Sequence, residues 1–255
     1  MAIHHTVIIE PGAKISEDVE IGPYTVIGGN VEIDSGCIIS PHVVIKGHTS
    51  IGKNNRIYQF SSIGEENQDK KYHGEPTRTV IGDNNIIREC VTIHRGTVQD
   101  QGVTRIGNEN LIMAYVHIAH DCHIHDHCIL ANNATLAGHV VLEDWVILGG
   151  FTGIHQFCRI GSHAFTSIST FIVKDIPPFV MADGRPAIPR GLNSEGLKRR
   201  GFSSDEMANI KRAYKLLYRQ KLPLNEALDG MQQLNSPAVN QMIEFINASD
   251  RGIIR

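Results

Sequence analysis

An aliphatic residue returns at every sixth position over most of this chain. Ile3, Ile9, Ile15, Ile21, Ile27, Ile33, Ile39, Ile45, Ile51, Ile57 and Ile63 are equally spaced in a sequence where isoleucine supplies only 34 of 255 residues, so chance is no explanation. The series resumes at Ile81, Ile87 and Ile93, shifts register, and runs from Ile106 through Ile112, Ile118, Ile124, Leu130, Leu136, Leu142, Leu148 and Ile154 to Ile160. A helix repeats its apolar positions every three to four residues and a half-buried strand every two. A period of six requires the chain to turn once per repeat, with short strands joined by tight corners and one aliphatic side chain per face entering a common stack. Three repeats then close a triangular coil of about 18 residues.

The expected fold is mainly β: a parallel β-helix over 1–176, a Pro-rich linker over 177–192 marked by Pro177, Pro178, Pro186 and Pro189, and a C-terminal α-helical domain over 193–255. Interruptions near 65–79 and 94–105 cannot join the stack and are expected as extruded loops, where a rigid solenoid tends to carry function. Ser203 with Glu206 forms a capping-box pattern, and Ser236 before Pro237 reads as a cap followed by a first-turn proline. Each buried Ile or Leu contributes on the order of 1.5–3 kcal/mol before entropy, so the stack can hold a chain with few aromatics. A net charge of -3 argues against a nucleic-acid binder. The charge is uneven, with 12 basic and 19 acidic residues in 1–176 against 12 and 8 in 177–255. No run approaches the ~18 apolar residues of a membrane span. The start, MAIHHTVIIEPG, lacks the pattern of a secretory leader, so the expected location is cytoplasmic. Five cysteines without a CxxC pair are expected as free thiols.

The segments IYQFSSIGEENQDKKYHGEPT, TIHRGTVQ, HIAHDC, ILANNATLAGHV, HQFCRIG and NSEGLKRRGFS together resemble the hexapeptide-repeat, left-handed parallel β-helix acyltransferases, and among them the UDP-N-acetylglucosamine O-acyltransferases of lipid A biosynthesis. The likeness spans essentially the whole chain. Left-handedness comes from the resemblance alone, since ordinary parallel crossovers are right-handed. The related N-acyltransferases carry an added N-terminal domain, whereas the repeat here begins at Ile3, which favours the O-acyl branch. The resemblance implies transfer of a 3-hydroxyacyl chain from acyl carrier protein to the 3-hydroxyl of UDP-N-acetylglucosamine. It implies no metal and no cofactor beyond the carrier's phosphopantetheine, and a homotrimer with sites between subunits.

Such a transfer needs a base for the hydroxyl proton, donors for the oxyanion and a groove for the tail. Histidine suits the base near neutral pH, and all 14 precede residue 164, most densely at His117, His120, His123, His125 and His127. By resemblance His120 is the general base and Asp121 orients or polarises it. Residues 18 apart should stack about 4.8 Å apart, which puts His120, Gly138 and Gln156 in one column and His139 over Asp121. A glycine beside the base admits substrate to the backbone, and its N–H can serve the oxyanion, the role the resemblance also assigns to Gly138. His139 is a candidate sugar ligand, and the resemblance extends that expectation to His117, His155 and Gln156.

In the first loop, Gln68, Asp69 and Lys71 match family positions that contact sugar and acyl donor. In the tail, Asn193, Glu195, Arg199 and Arg200 match the uridine and diphosphate contacts, arginine being suited to phosphate oxygens. The basic balance of the tail suits an acidic carrier protein. After HQFCRIG, where many members have paired small residues at the end of the acyl groove, this chain reads SHAFTSIST. Phe165 and Ile168 there are expected to act as an acyl-chain ruler favouring a shorter chain. Two other readings fit a histidine-rich coil: a zinc enzyme like the γ-class carbonic anhydrases, and a non-catalytic scaffold. Acyl length, the choice between UDP-N-acetylglucosamine and a 3-amino variant, and the residues that dock carrier protein are left open.

Overall fold

The computed structural model describes residues 2–255. Short strands lie on three parallel sheets, and up to Phe171–Ile172 each strand steps to the next sheet, so that three make one turn of a left-handed parallel β-helix. Face one includes Ile129–Leu130, Ile147–Leu148 and Phe165–Thr166. Face two includes His117–Ile118, Thr135–Leu136, Gly153–Ile154 and Phe171–Ile172. Face three includes His123–Ile124, Val141–Leu142 and Arg159–Ile160.

The sixfold pattern is explained by which way each residue of a strand points. In His117–Ile118 and its neighbours the second residue enters the interior, and Ile118, Ile124, Leu130, Leu136, Leu142 and Leu148 are fully buried. The stack holds vertical register: His117 pairs with Thr135, and Thr135 with Gly153, each 18 residues on. Register widens at two places on face two, where Ile63 pairs with Ile93 and Ile93 with Ile118. The extra residues leave as loops between Ser62–Glu65 and Arg78–Ile81 and between Thr92–His94 and Val103–Ile106. Both leave from the corner joining faces two and three.

The corner between faces two and three turns here through residues in the left-handed region, at φ 57° for Asp121, 62° for His139 and 65° for Phe157. An L-residue there costs about 1–2 kcal/mol. Corner-to-corner bonds offset it: His139 N–H donates to the His120 carbonyl at 3.0 Å and Phe157 N–H to the Gly138 carbonyl at 3.1 Å. Rings stack above one another as well, with His139 over Phe157 at 4.4 Å and His127 over Trp145 at 4.0 Å.

Residues 177–192 are not a linker. Val180–Asp183 adds to face one beside Phe165–Thr166 and forms an antiparallel pair with Ile188–Leu192, closing the last coil. Pro189 is tolerated because its strand is the edge of that sheet. Four helices follow: α1 (Ser194–Arg199), α2 (Ser204–Tyr218), α3 (Leu224–Gln232) and α4 (Pro237–Asn247). Ser203 and Glu206 form the reciprocal capping box of α2. Ser236 precedes Pro237 as expected, but its side chain makes no cap bond. The helices bury their own core, including Phe179, Ile210, Leu217, Met242 and Phe245. The chain end returns to the coil, where Ile253 bridges Asp175 and the buried Asp175 carboxylate accepts from Ser249 Oγ at 2.6 Å and Arg159 N–H at 2.8 Å. Among the described residues no helix is long and apolar enough to cross a membrane.

Removing one member of the stack should be felt far more than removing its outward neighbour. Leu136→Ala is expected to cost about 2–5 kcal/mol, and the exposed Thr135→Ala within about 0.5 kcal/mol of zero, read from paired thermal melts.

Candidate active site

The corner between faces two and three, together with both extruded loops, encloses a cleft of about 780 Å³. Gln68, Asp69 and Lys71 reach it from the first loop, His117, His120, Gly138, His139 and Gln156 from the coils, and Thr97, Gln99 and Asp100 from the second loop. The expected base, the glycine and most of the expected sugar ligands are thus brought together by one corner.

His120 and Asp121 occupy adjacent corner positions, and the αL turn at Asp121 folds the carboxylate back under the imidazole. His120 Nδ1 lies 2.9 Å from Asp121 Oδ2. The carboxylate also accepts the Thr97 N–H at 2.9 and 3.1 Å and the Thr97 hydroxyl at 2.6 Å. Burial pushes the Asp121 carboxyl upward, but the hydrogen bonds from His120 and Thr97 outweigh it and hold it below the usual carboxylate range. An ionised Asp121 can only accept, so it selects the tautomer with the proton on Nδ1 and leaves Nε2 with its lone pair.

Gly138 lies directly above. A Cβ built there would stand 2.5 Å from His120 Cε1 and 2.7 Å from Nε2, so the imidazole occupies the space that any side chain would need. The Gly138 N–H makes no hydrogen bond to the described residues and is free to donate. His139 lies edge-on to His120, ring centroids 5.1 Å apart, with its Nδ1 2.8 Å from Asp100 Oδ2 of the second loop.

On the face-two side, His117 Nδ1 meets Thr92 Oγ1 at 2.7 Å and its ring packs edge-on to His94. Burial, followed by the charge of His120, lowers the His117 imidazole from its ordinary value. Burial, with His117 next, pushes His94 down to about 4. Ligand-type atoms of His120, Asp121 and His139 lie within 4.8 Å of one another. The Asp121 oxygens are engaged by Thr97 and His120, so the set is one of hydrogen-bonded pairs and does not favour the zinc-enzyme reading.

The remaining expected residues lie elsewhere. His155 is exposed beside Gln156 and does not line the cleft. Asn193, Glu195, Arg199 and Arg200 sit at the corner between faces three and one. Asn193 caps α1 and donates to the His163 carbonyl at 3.0 Å, and Arg200 lies 4.8 Å over the Trp145 ring and 3.3 Å from His163 Nδ1. Glu195 pairs with Lys198 on the exposed side of α1, and Arg199 is exposed. Burial, then the charge of Arg200, pushes His163 down to about 4. Phe165 is half-buried on face one, and Ile168, at the corner between faces one and two, is 69% exposed. The cleft residues that sequence reasoning missed are His94, Thr97, Gln99, Asp100, Ala119, Ala137 and Phe157. The only available signal for the loop members was the interruption of the isoleucine register.

Comparison with known proteins agrees along the whole chain. Residues 175–254 match the family described as UDP-N-acetylglucosamine O-acyltransferase, domain 2; residues 104–138 match the bacterial transferase hexapeptide family (six repeats), and residues 3–103 the GMPPB C-terminal domain. The acyl-[acyl-carrier-protein]–UDP-N-acetylglucosamine O-acyltransferase of Herminiimonas arsenicoxydans is 60% identical over 259 residues, covering 99% of each chain. The crystal structure of the UDP-N-acetylglucosamine O-acyltransferase of Moraxella catarrhalis superposes with a TM-score of 0.97 at 48% identity, covering 100% of both chains. That of the Francisella novicida UDP-N-acetylglucosamine acyltransferase gives 0.97 at 45%, covering 99% of this chain and 94% of that one. These relatives lend no support to the carbonic anhydrase or scaffold readings.

The two suppressed histidines make stability depend on acid in a defined window. Unfolded imidazoles bind protons near pH 6.5, whereas His94 and His163 in the folded chain do so only near 4. Stability is therefore expected to fall as pH drops from about 6.5 towards 4. His94→Gln and His163→Gln should each flatten that fall, measured as denaturation midpoints across the range.

Proposed function

The chain belongs to the acyl-carrier-protein-dependent UDP-N-acetylglucosamine O-acyltransferases, and on that footing we propose that His120 is its general base and the cleft at the two-three corner its acyl-transfer site. The observation that carries this reading is the Asp121–His120 pair lying against Gly138 in the loop-roofed cleft. Nε2 of His120 takes the proton of the glucosamine 3-hydroxyl as the oxygen attacks the thioester carbonyl. The tetrahedral oxyanion accepts from the Gly138 N–H. Collapse forms the ester and breaks the C–S bond, and the imidazolium returns its proton to the departing phosphopantetheine thiolate. Asp121 steadies the imidazolium while it exists, without taking its proton.

His117, His139, Gln156, Gln68, Asp69 and Lys71 line the same cleft and are read as sugar and donor contacts, and His155, exposed outside the lining, is read with them from the resemblance alone. The uridine and diphosphate contacts, Asn193, Glu195, Arg199 and Arg200, stand at another corner of the same coil. A homotrimer resolves this separation by laying the tail of one copy beside the cleft of the next. We therefore read the site as shared between subunits, acting on a 3-hydroxyacyl chain delivered by acyl carrier protein. The cytoplasm, where carrier-bound acyl chains and nucleotide sugars are made, is the compartment this reading assigns.

The acyl chain has a surface to follow. The outward positions of face two, Thr135, Gly153 and Phe171, run from beside His117 towards the corner that carries Ile168. A side-chain-free strip at Gly153 suits a methylene chain, and Ile168 stands at the corner beside its far end as the ruler, with Phe165 around that corner on face one.

His120→Ala should lower kcat by about 10²–10⁴-fold with little change in KM for the nucleotide sugar; full activity in that variant would remove the assignment. Carrier proteins loaded with a series of chain lengths should show Ile168→Gly gaining on longer chains by about 10- to 200-fold relative to wild type. An unchanged preference would take Ile168 out of the ruler.

A further inference from the structure

We propose that Thr97, in the second extruded loop, is a positioning residue that locks Asp121 and so aims His120 for transfer. The inference rests on the reading of His120 as base and extends it to a residue outside the coil.

Three features carry it. The first is the way Thr97 meets the carboxylate: its N–H spans both oxygens and its hydroxyl donates to Oδ2, the oxygen that faces His120. A threonine hydroxyl has one proton, and here it is spent on Asp121. The second is burial. Thr97 is 2% exposed, and on the other side of the corner the buried Thr104 Oγ1 accepts the Asp121 N–H at 2.9 Å, so Asp121 is held at main chain and side chain by the two ends of one loop.

The third is that the peptide presenting Thr97 is itself fixed. The Gly96 N–H donates to the Arg78 carbonyl at 3.2 Å, and the Gly96 carbonyl accepts from the buried Asn67 side chain of the first loop at 3.1 Å. Gly96 leaves no room for a side chain against the Val103 backbone, and Arg95 Nε ties the loop to the Gly64 carbonyl at 3.0 Å.

The consequence is orientational. With Thr97 occupying the outer sides of the carboxylate, Oδ2 has one remaining direction, towards His120 Nδ1. Without the hydroxyl that side of Oδ2 loses its partner, and His139 Nε2, 3.9 Å from the same oxygen, can take its place when the ring is the imidazolium, its Nδ1 proton being held by Asp100. A carboxylate drawn that way releases the imidazole to rotate off the Gly138 column. The other titratable groups facing the pair are Asp100 behind His139, His117 and His94 on the sheet side, and Asp69 and Lys71 from the first loop. Among these only the histidines carry N–H donors that could approach the carboxylate from within the coil.

Thr97→Val and Thr97→Ser separate the hydroxyl from the shape of the side chain. Valine keeps the branching and the backbone N–H and loses only the hydroxyl, whereas serine keeps the hydroxyl. The expected result is that Thr97→Val lowers kcat by about 10- to 100-fold with little change in KM for the nucleotide sugar. The acidic limb of kcat/KM should move to higher pH, because a carboxylate with fewer donors holds the imidazolium more tightly. Thr97→Ser should recover most of both. A Thr97→Val enzyme with wild-type kcat and pH profile, beside an inactive His120→Ala, would overturn the role of Thr97 while leaving the base in place. Equal losses in the valine and serine variants with a lowered melting temperature would also overturn it, by reducing Thr97 to loop packing. An active His120→Ala would instead overturn the reading of the site itself.

Discussion

The backbone hydrogen bonds that join each coil to the next give this molecule its chemistry as well as its fold. Because strands pair in parallel and in register, a residue meets its counterpart 18 positions on. The aliphatic stack supplies the stability, but the ladder supplies the addresses. His120 and Gly138 are neighbours for that reason alone, and so are His139 and Phe157. A site assembled this way is positioned by many weak, repeated bonds, and no single strained contact has to hold it.

The corner adds what a flat face cannot. A side chain on a strand stands off perpendicular to its sheet, so two consecutive residues point apart. At the corner the left-handed turn at Asp121 lets the carboxylate reach the ring of the residue before it. The same geometry at Gly138 brings backbone to within contact of that ring, which is why the position cannot carry a side chain. Glycine there is required by the histidine, and the free N–H comes with it. Both loops then leave from this corner in the coils below, so the wall of the cleft and the support for the His120–Asp121 pair come from the same pair of excursions.

Much of this was legible in the amino-acid order. The period of six predicts the coil, and 18-residue arithmetic alone places His120, Gly138 and Gln156 in a column. Thr97, Gln99 and Asp100 escaped notice because they lie where the repeat is interrupted, so no periodicity assigns them a neighbour. The partners of Thr97 and Asp100, Asp121 and His139, are 24 and 39 positions away, separations set by the length of an excursion. The proline-rich stretch misled for a different reason. Prolines forbid central strands but not an edge strand, and Ile188–Leu192 is an edge. The tail residues named from the resemblance lie apart from the cleft in one chain: Arg200 stands at the three-one corner, over Trp145 and beside His163, and the cleft at the two-three corner.

The fixed vertical register also limits how such a gene can drift. A single added hexapeptide between His120 and Gly138 would leave every strand well formed and the inward aliphatic stack intact, yet would rotate all later coils by one face and carry the glycine to a different edge of the prism. Length changes in that stretch are harmless only as bulges thrown outward at a corner, and whole turns can be added only outside it. Insertions and deletions in descendants of this sequence should therefore be quantised in the coils and continuous only in the loops.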